Sequence, residues 1–586
     1  MKKKKVLSLL MTAILTMSLA ACGGTDPDSG SSGNSGSGSQ TEQSGADDAG
    51  SSGQSDADSS QGGQSDTDDA GSSGQSDAGS SQTAEGPLAP YNETVTLEVA
   101  LMINADLNYQ EGDDITNNPW IRGYKEKLNI EVVPAFTAEW DDYFTNINLA
   151  IADKTLPDVC MVQTTQLQQL IEADMLYDLS EVYETYASDI IKGYMAIEPE
   201  SFDSGKKDGK LYGIAQLGVG PIAQINPVWI RKDWKDALNL EDPKTMDDLI
   251  AIEKAFQQEY GSTGIAADQS LTTLKILAPA WGAYPDIWIQ EPGGQIGYGS
   301  IQPEMKTALG EWAKWYQEGI ISNQFATANT EKLNQDAVNG KLGIYPFKNW
   351  LGWTAGTDMI TNIGPEAYLE AYAVPPAAGE KVLYPLNCDN YTYTVVSKNC
   401  KNPEAALKCI NFFAYMENEA ANDGISQEEI LSYFDVEHAA QIMRVQDPDL
   451  DRSTYQATAK AIAAQDESLL ETRKQQQAYA DIVNFTNDGS PTAVGGYMLW
   501  GPDKSAYSVA DPIITAGDTI KNKVWAVTPD VINRAGTTLD DILTEGFTKI
   551  IMGEEPLDYF DTLVEDWRTA GGDEATQAVN DMYGNQ

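Results

Sequence analysis

Hydrophobic and polar positions alternate at Val95, Leu97, Val99 and Leu101, the period-two spacing of a strand with one buried face. A helix ending near Lys127 leads into a second strand candidate, Ile130 to Val133, and the apolar run from Val159 to Val162 predicts a third. Thr245-Met246-Asp247-Asp248 has the order of a capping box and predicts a helix through Phe256. Pro303 opens another helix, in which Met305, Ala308, Leu309, Trp312 and Tyr316 keep one apolar face until Gly319 stops it. Asn402-Pro403-Glu404 caps a helix with Ala406, Ile410 and Phe413 inward. Leu539, Ile542, Leu543, Phe547, Ile550 and Ile551 recur at helical spacing up to Gly553. Strands alternating with helices predict an α/β protein.

The pattern fails at the start of the chain. Lys2 to Lys5 are cationic, Val6 to Ala21 are almost uncharged, and Leu19-Ala20-Ala21-Cys22-Gly23 closes the run. This is the plan of a secretory signal peptide, too short for a comfortable membrane span. The cysteine stands where a bacterial lipoprotein signal puts it, so residues 1–21 are expected to be cleaved and Cys22 acylated. The mature chain is then anchored to the cell membrane and faces outside, as in a monoderm bacterium. Residues 22–86 are mostly Ser, Gly, Asp, Gln and Ala with no Lys or Arg, and Asp47–Ala57 recurs unchanged at Asp68–Ala78. Such a segment cannot bury enough apolar surface to offset its ordering entropy. It predicts a flexible tether spanning roughly 45 Å.

The remaining body, roughly 500 residues, is long enough for two or three lobes with cores of their own. The 88 acidic against 38 basic residues give a net charge of −50, which argues against nucleic acid, whose phosphates want a basic face. A single histidine, His438, leaves a Ser-His-Asp or Cys-His machine nothing else to rest on, and it reads as a surface helix residue. Catalytic zinc, which draws on several histidines, is not expected, and no P-loop or other cofactor motif is present. Asp447-Pro448-Asp449-Leu450-Asp451-Arg452 imitates a calcium loop but has Arg452 where glycine belongs and Thr458 where glutamate belongs. Cys160, Cys388, Cys400 and Cys409 match no zinc spacing, and the sequence selects no disulfide among them. Carboxylate pairs abound by chance, and none stands in a recognisable catalytic motif.

Thirteen Trp and 27 Tyr against 12 Phe favour aromatics with a polar tip. These flat faces suit the C–H faces of sugar rings. Four groups lie in loop-like places: Trp281, Tyr284 and Trp288; Trp350 and Trp353; Tyr391 and Tyr393; Tyr497 and Trp500. Any one of them is also a candidate for plain core packing.

A family resemblance runs through the same regions, from about Val95 to Tyr583. It is carried by Ile151-Ala152-Asp153-Lys154-Thr155-Leu156-Pro157-Asp158-Val159, by Gly209-Lys210-Leu211-Tyr212-Gly213-Ile214, and by Trp229-Ile230-Arg231-Lys232-Asp233-Trp234 with its continuation from Pro243 to Leu249. Asn339-Gly340-Lys341-Leu342-Gly343-Ile344, Lys549-Ile550-Ile551-Met552-Gly553 and the stretch from Gly571 to Asn580 complete it. In this order the segments resemble extracellular solute-binding protein family 1, in the lipoprotein branch serving carbohydrate ABC importers. The resemblance implies a two-lobed periplasmic-binding-protein-like fold with about three hinge crossings and a ligand cleft between the lobes. The crossings are expected near 215–220, 386–394 and 490–500, with lobe 1 formed by 87–216 plus 392–490 and lobe 2 by 217–391 plus 491–586. Some relatives carry a calcium loop after the Arg-Lys-Asp-Trp segment. Residues 257–264 lack its aspartates, so no metal is expected there.

Proximity to these crossings nominates ligand contacts: Gln163 and Thr164; Gln216, which with Ala215 replaces a proline of the family pattern; Asp268 and Gln269; Trp281 and Trp288; Trp350 and Trp353; Asn387, Asp389 and Tyr391; Tyr497 and Trp500. Arg231 is expected to be structural, paired with a carboxylate. The implied mechanism is capture by lobe closure and delivery to an ABC permease, without catalysis, by a monomer. The expected ligand is a neutral oligosaccharide, because little positive charge lies near the nominated contacts. A surface-anchored glycoside hydrolase or lyase and an adhesion module are the competing classes, and a peptide is the competing ligand.

Overall fold

Val95–Ile103 is the second strand of a five-stranded sheet ordered 130–139, 95–103, 159–163, 392–396, 213–215. It pairs in parallel with Ile130–Glu139 on one side and Val159–Gln163 on the other, with Val95 opposite Ile130 and Val99 opposite Val159. Thr392–Val396 runs antiparallel to both its neighbours. The computed structural model describes residues 86–584 apart from 105, 106, 108, 378, 380, 389–391 and 526. Cys22 and the tether up to residue 85 therefore lie outside the described residues, as do Asp389 and Tyr391. A second sheet, antiparallel, is ordered 344–346, 228–231, 369–372.

The local chemistry explains the elements. Asn118 caps the helix Pro119–Leu128 by accepting from the amides of Trp120 and Ile121, with proline at the first turn. The capping box expected at Thr245 is present: its side chain accepts from the Asp248 amide. That helix runs to Tyr260, a turn beyond Phe256. Tyr260 stacks on Trp234 at 4.6 Å, and Gly261 closes the helix at φ 71°. In Pro303–Gln317 the buried stripe is Met305, Ala308, Leu309, Trp312 and Trp315, and Tyr316 is only half-buried. Asp530–Met552 carries the late apolar stripe, closed by Gly553.

Two apolar cores divide the body into two lobes. The first holds Tyr91 to Leu217 and Tyr393 to Val445, and the second holds Ile222 to Tyr384 and Ala478 to Val579. The chain crosses between Leu217 and Ile222, between Leu386 and Tyr393, and a third time between Val445 and Tyr455, which packs against the second core. The third crossing thus falls more than 30 residues earlier than 490–500. The helix Arg473–Asp488, expected in lobe 1, buries Ala478, Ile482 and Phe485 in the second core. Only its first turn reaches back, where the Arg473 guanidinium lies 3.8 Å from Glu417 and 4.3 Å from the centre of the Phe434 ring. The first and third crossings touch: a Cβ on Gly220 would sit 1.8 Å from the Pro448 carbonyl oxygen.

The calcium-loop imitation at 447–452 is spent internally. Asp447 accepts from the Asp449 amide, while Asp451 is buried against Lys474 at 2.9 Å and the Tyr507 hydroxyl. His438 sits in the short helix Glu437–Met443 with its ring 42% exposed. Among the described residues no disulfide joins Cys160, Cys388, Cys400 or Cys409.

Candidate ligand cleft

The hairpin Trp288–Gln290 with Ile296–Tyr298 forms the floor of the space between the lobes. Trp288 pairs with Tyr298 and Gln290 with Ile296, so all four project on one face. Trp288 packs on Tyr298 at 5.1 Å, and Tyr298 stacks flat on the fully buried Trp567 at 5.4 Å and 7°. Above this floor is a cavity of about 510 Å³. Thr164, the first residue of the lobe-1 helix Thr164–Glu172, faces it from the other lobe, and Asn387 and Cys388 of the second crossing close its side.

Residues 521–525, with 527 and 528, form a strap that bends at 523 and 524 beside the hairpin and stands between this cavity and a second of about 580 Å³. Lys521, Lys523, Trp525 and Val527 line the second cavity, while Val524 and Thr528 line the first and Asn522 touches both. The strap is fixed by Asn522. Its Oδ1 accepts from the amides of Trp288 (3.0 Å) and Val524 (3.1 Å), and its Nδ2 donates to Asn387 Oδ1 (2.8 Å). Asn387 is in turn clasped by Gln224 at the first crossing, which accepts from its amide at 2.6 Å and donates to its carbonyl at 2.9 Å. One side chain therefore ties floor, strap and hinge together. Asn522→Ala removes three hydrogen bonds worth about 1 kcal/mol each. The expected result is a Kd for ligand raised about tenfold with the melting temperature lowered by a few degrees, read by calorimetry.

The first cavity is rich in acceptors. Lys275 is held by Asp286 at 2.8 Å, so its charge is matched. Asp286 sits at φ 65°, with its amide bonded to Ser300 Oγ at 2.8 Å. Asp540 also lines the wall and accepts from the Tyr298 hydroxyl at 3.3 Å. Burial first, and then the nearby Asp286 charge, push its carboxyl above the ordinary range.

Of the nominated residues, Thr164, Trp288 and Asn387 come together around this cavity. Gln163 precedes Thr164 at the start of the same helix, its amide donating to Gln166 Oε1. Gln216 has another task. It is buried, its Nε2 donates to Thr394 Oγ1 and to the carbonyls of Gln441 and Ile442, and its Oε1 accepts from Thr392. Asp268 is likewise buried and holds the turn before Thr272–Leu277, accepting from the Thr273 amide and hydroxyl and from Ser270. Gln269 is exposed, and its amide donates to the Ala328 carbonyl. Trp281 packs on Trp312 and Trp315 in the second core. Trp350 (39% exposed) and Trp353 (49% exposed) form a separate shelf: Trp353 stands edge-on to the buried Trp500 at 5.5 Å, and Trp350 edge-on to Phe347. Tyr497 packs on Phe485 at 4.5 Å and serves the core. Arg231 is structural, fully buried and held in a forked pair with Asp233 at 2.6 and 2.8 Å.

Sequence reading missed Lys275, Asp286, Tyr298, Asn522, Asp540 and Trp567. They stand far along the chain from the crossings, and only the fold assembles them.

The family model described as "bacterial extracellular solute-binding protein" matches residues 120–427. The chain is similar to Lipoprotein LipO of Bacillus subtilis (strain 168), 21% identical over 469 residues that cover 75% of this chain and 84% of the relative. It is 26% identical over 282 residues to the polygalacturonan/rhamnogalacturonan-binding protein YtcQ of the same organism, covering 45% of this chain and 51% of that one. Among solved structures, the alginate-binding protein AlgQ2 superposes with a TM-score of 0.56 at 17% identity, over 84% of this chain and 99% of that one. This likeness shows the same two-lobed α/β fold.

Proposed function

We infer from the family to which this chain belongs, the bacterial extracellular solute-binding proteins, that it captures an oligosaccharide outside the cell and delivers it to an ABC permease. The observation that carries the reading is the cavity between the lobes. Its aromatic floor and acceptor-rich wall meet a residue of the second crossing, so a ligand there touches both lobes and the hinge together. Binding proteins of this kind close by hinge motion, and only a ligand that binds the closed form better can drive closure. The names of YtcQ and AlgQ2, which bind polygalacturonan or rhamnogalacturonan and alginate, support a carbohydrate ligand. In the first cavity Asp286 and Asp540 favour hydroxyl donors and disfavour carboxylates, so the units bound there are neutral. Acylation at Cys22, a tether over 22–86 and a monomeric state complete the reading, supported by the leader sequence and the likeness to LipO.

The test is calorimetry of the secreted chain carrying Cys22→Ser against oligosaccharides of graded length and linkage, with product analysis of the same samples. Saturable one-to-one binding with the sugar intact is expected. Shorter products would make the chain a hydrolase or lyase, with Asp286 and Asp540 as the first carboxylates to replace.

A further inference from the structure

We propose that the second cavity, behind the strap, is part of the ligand site and takes a sugar unit bearing a carboxylate, with Lys523 as its counter-ion. This rests on the capture reading above and extends it to the ligand's far end. Like the first cavity, the second is built from both lobes: Glu200, Asp203 and Ser204 come from lobe 1, and the strap, Gln290, Ile296 and Tyr583 from lobe 2. Such a chamber exists only while the lobes are together, as a ligand-binding chamber must.

Its charges decide the chemistry. Glu200 is paired across the lobes with Lys521 at 3.0 Å, and Asp203 is paired with Lys206 at 2.7 Å. Lys521 also lies over the Trp525 ring at 3.8 Å, which holds it to the wall. Lys523 lines the same cavity, anchored through its amide to the Trp288 carbonyl at 2.8 Å. Among the described residues its ammonium has no carboxylate within ion-pair distance. In a chain with 88 acidic residues to 38 basic ones, a cation left unmatched on a cavity wall is an open place for an anion. Both acids beside it are already engaged. The first cavity has no such vacancy, because Lys275 is matched by Asp286 and Asp540 adds a further negative charge. The two chambers therefore ask for different units of one ligand: hydroxyl-rich on the Trp288 side, acidic on the Lys523 side.

The experiment uses the secreted Cys22→Ser chain with oligosaccharides of two to six units that end in a galacturonic, glucuronic or mannuronic acid, and the same sugars after reduction of that carboxyl to the alcohol. The expected result is that at least one acid-ended ligand binds about tenfold tighter than its reduced form, that added salt erases the difference, and that Lys523→Met removes it by weakening the acid-ended ligand more than the reduced one. Protection of Lys523 from acetylation by the acidic ligand, read by mass spectrometry, gives a check independent of the variant. Equal binding of acid and reduced forms, or a preference that survives Lys523→Met, overturns the proposal while leaving capture intact. Failure of every sugar to bind overturns the capture reading itself.

Discussion

Replacing Glu253 by glutamine is expected to stabilise the protein by roughly 4 kcal/mol at pH 8 and to change it little near pH 4.5. Glu253 lies inside the helix Met246–Tyr260, fully buried against the second core, with only the Ser262 side chain and the Gly264 amide near its carboxyl. Desolvation pushes the carboxyl up to about 8, and Ser262 and the Gly264 amide oppose that shift without reversing it. The folded chain therefore holds this proton over a range in which the unfolded chain, with an ordinary glutamate, has lost it. Between those two values the folded state binds more protons than the unfolded one, so stability falls as pH rises, by about 1.4 kcal/mol per unit. Glutamine keeps the shape of the neutral acid and cannot ionise. Urea unfolding of both proteins from pH 4.5 to 8 gives the measurement. The other acids raised by burial, Glu417, Asp447, Asp449, Asp481 and Asp540, act alike on both curves and cancel in the difference. A difference that does not grow with pH would mean that water or a cation reaches the carboxylate.

The position of Glu253 also shows where sequence reading stops. The capping box at Thr245 and the glycine after Tyr260 are local signals, so the helix could be read, though its end was placed a turn early. That Glu253 points inward could not, because its stripe also carries Leu249, Ile252 and Phe256, and an acid beside such a stripe reads as the edge of the solvated face. The two-lobed fold was legible from ordered family segments. Which core the helix Arg473–Asp488 joins was not, since its apolar residues are compatible with either and only the burial of Phe485 and its neighbours decides. The site followed the same rule. Thr164, Trp288 and Asn387 stand beside strand ends or a crossing, whereas Asn522 acquires its role through bonds to residues 135 and 234 positions away. Gln216 was nominated beside the first crossing and Asp268 as a partner for ligand hydroxyls. They proved to be polar because the backbone around them needs partners.

The hinge carries the second large effect. Gly220→Ala is expected to destabilise the chain by about 3–5 kcal/mol and to weaken ligand binding by at least tenfold. Gly220 has φ 98° and ψ 176°, a conformation that is nearly glycine's alone and costs another residue about 1–3 kcal/mol. The new methyl would also meet the Pro448 carbonyl at 1.8 Å, and that neighbour is backbone, so no rotamer change can relieve it. The first crossing would have to part from the third, and Pro221 and Gln224 of the short helix that follows would move with it. Because Gln224 clasps Asn387, and Asn387 holds the strap through Asn522, that displacement reaches the ligand cavity directly. Gly261→Ala separates the two causes. Gly261 also has a positive φ, 71°, but nothing lies within 4 Å of its added Cβ, so strain alone should cost about 1 kcal/mol and leave affinity untouched. Thermal unfolding and calorimetry on both variants give the comparison. If Gly220→Ala costs no more than Gly261→Ala and binds ligand normally, the two crossings are not packed as a unit, and closure must pivot on the second crossing alone.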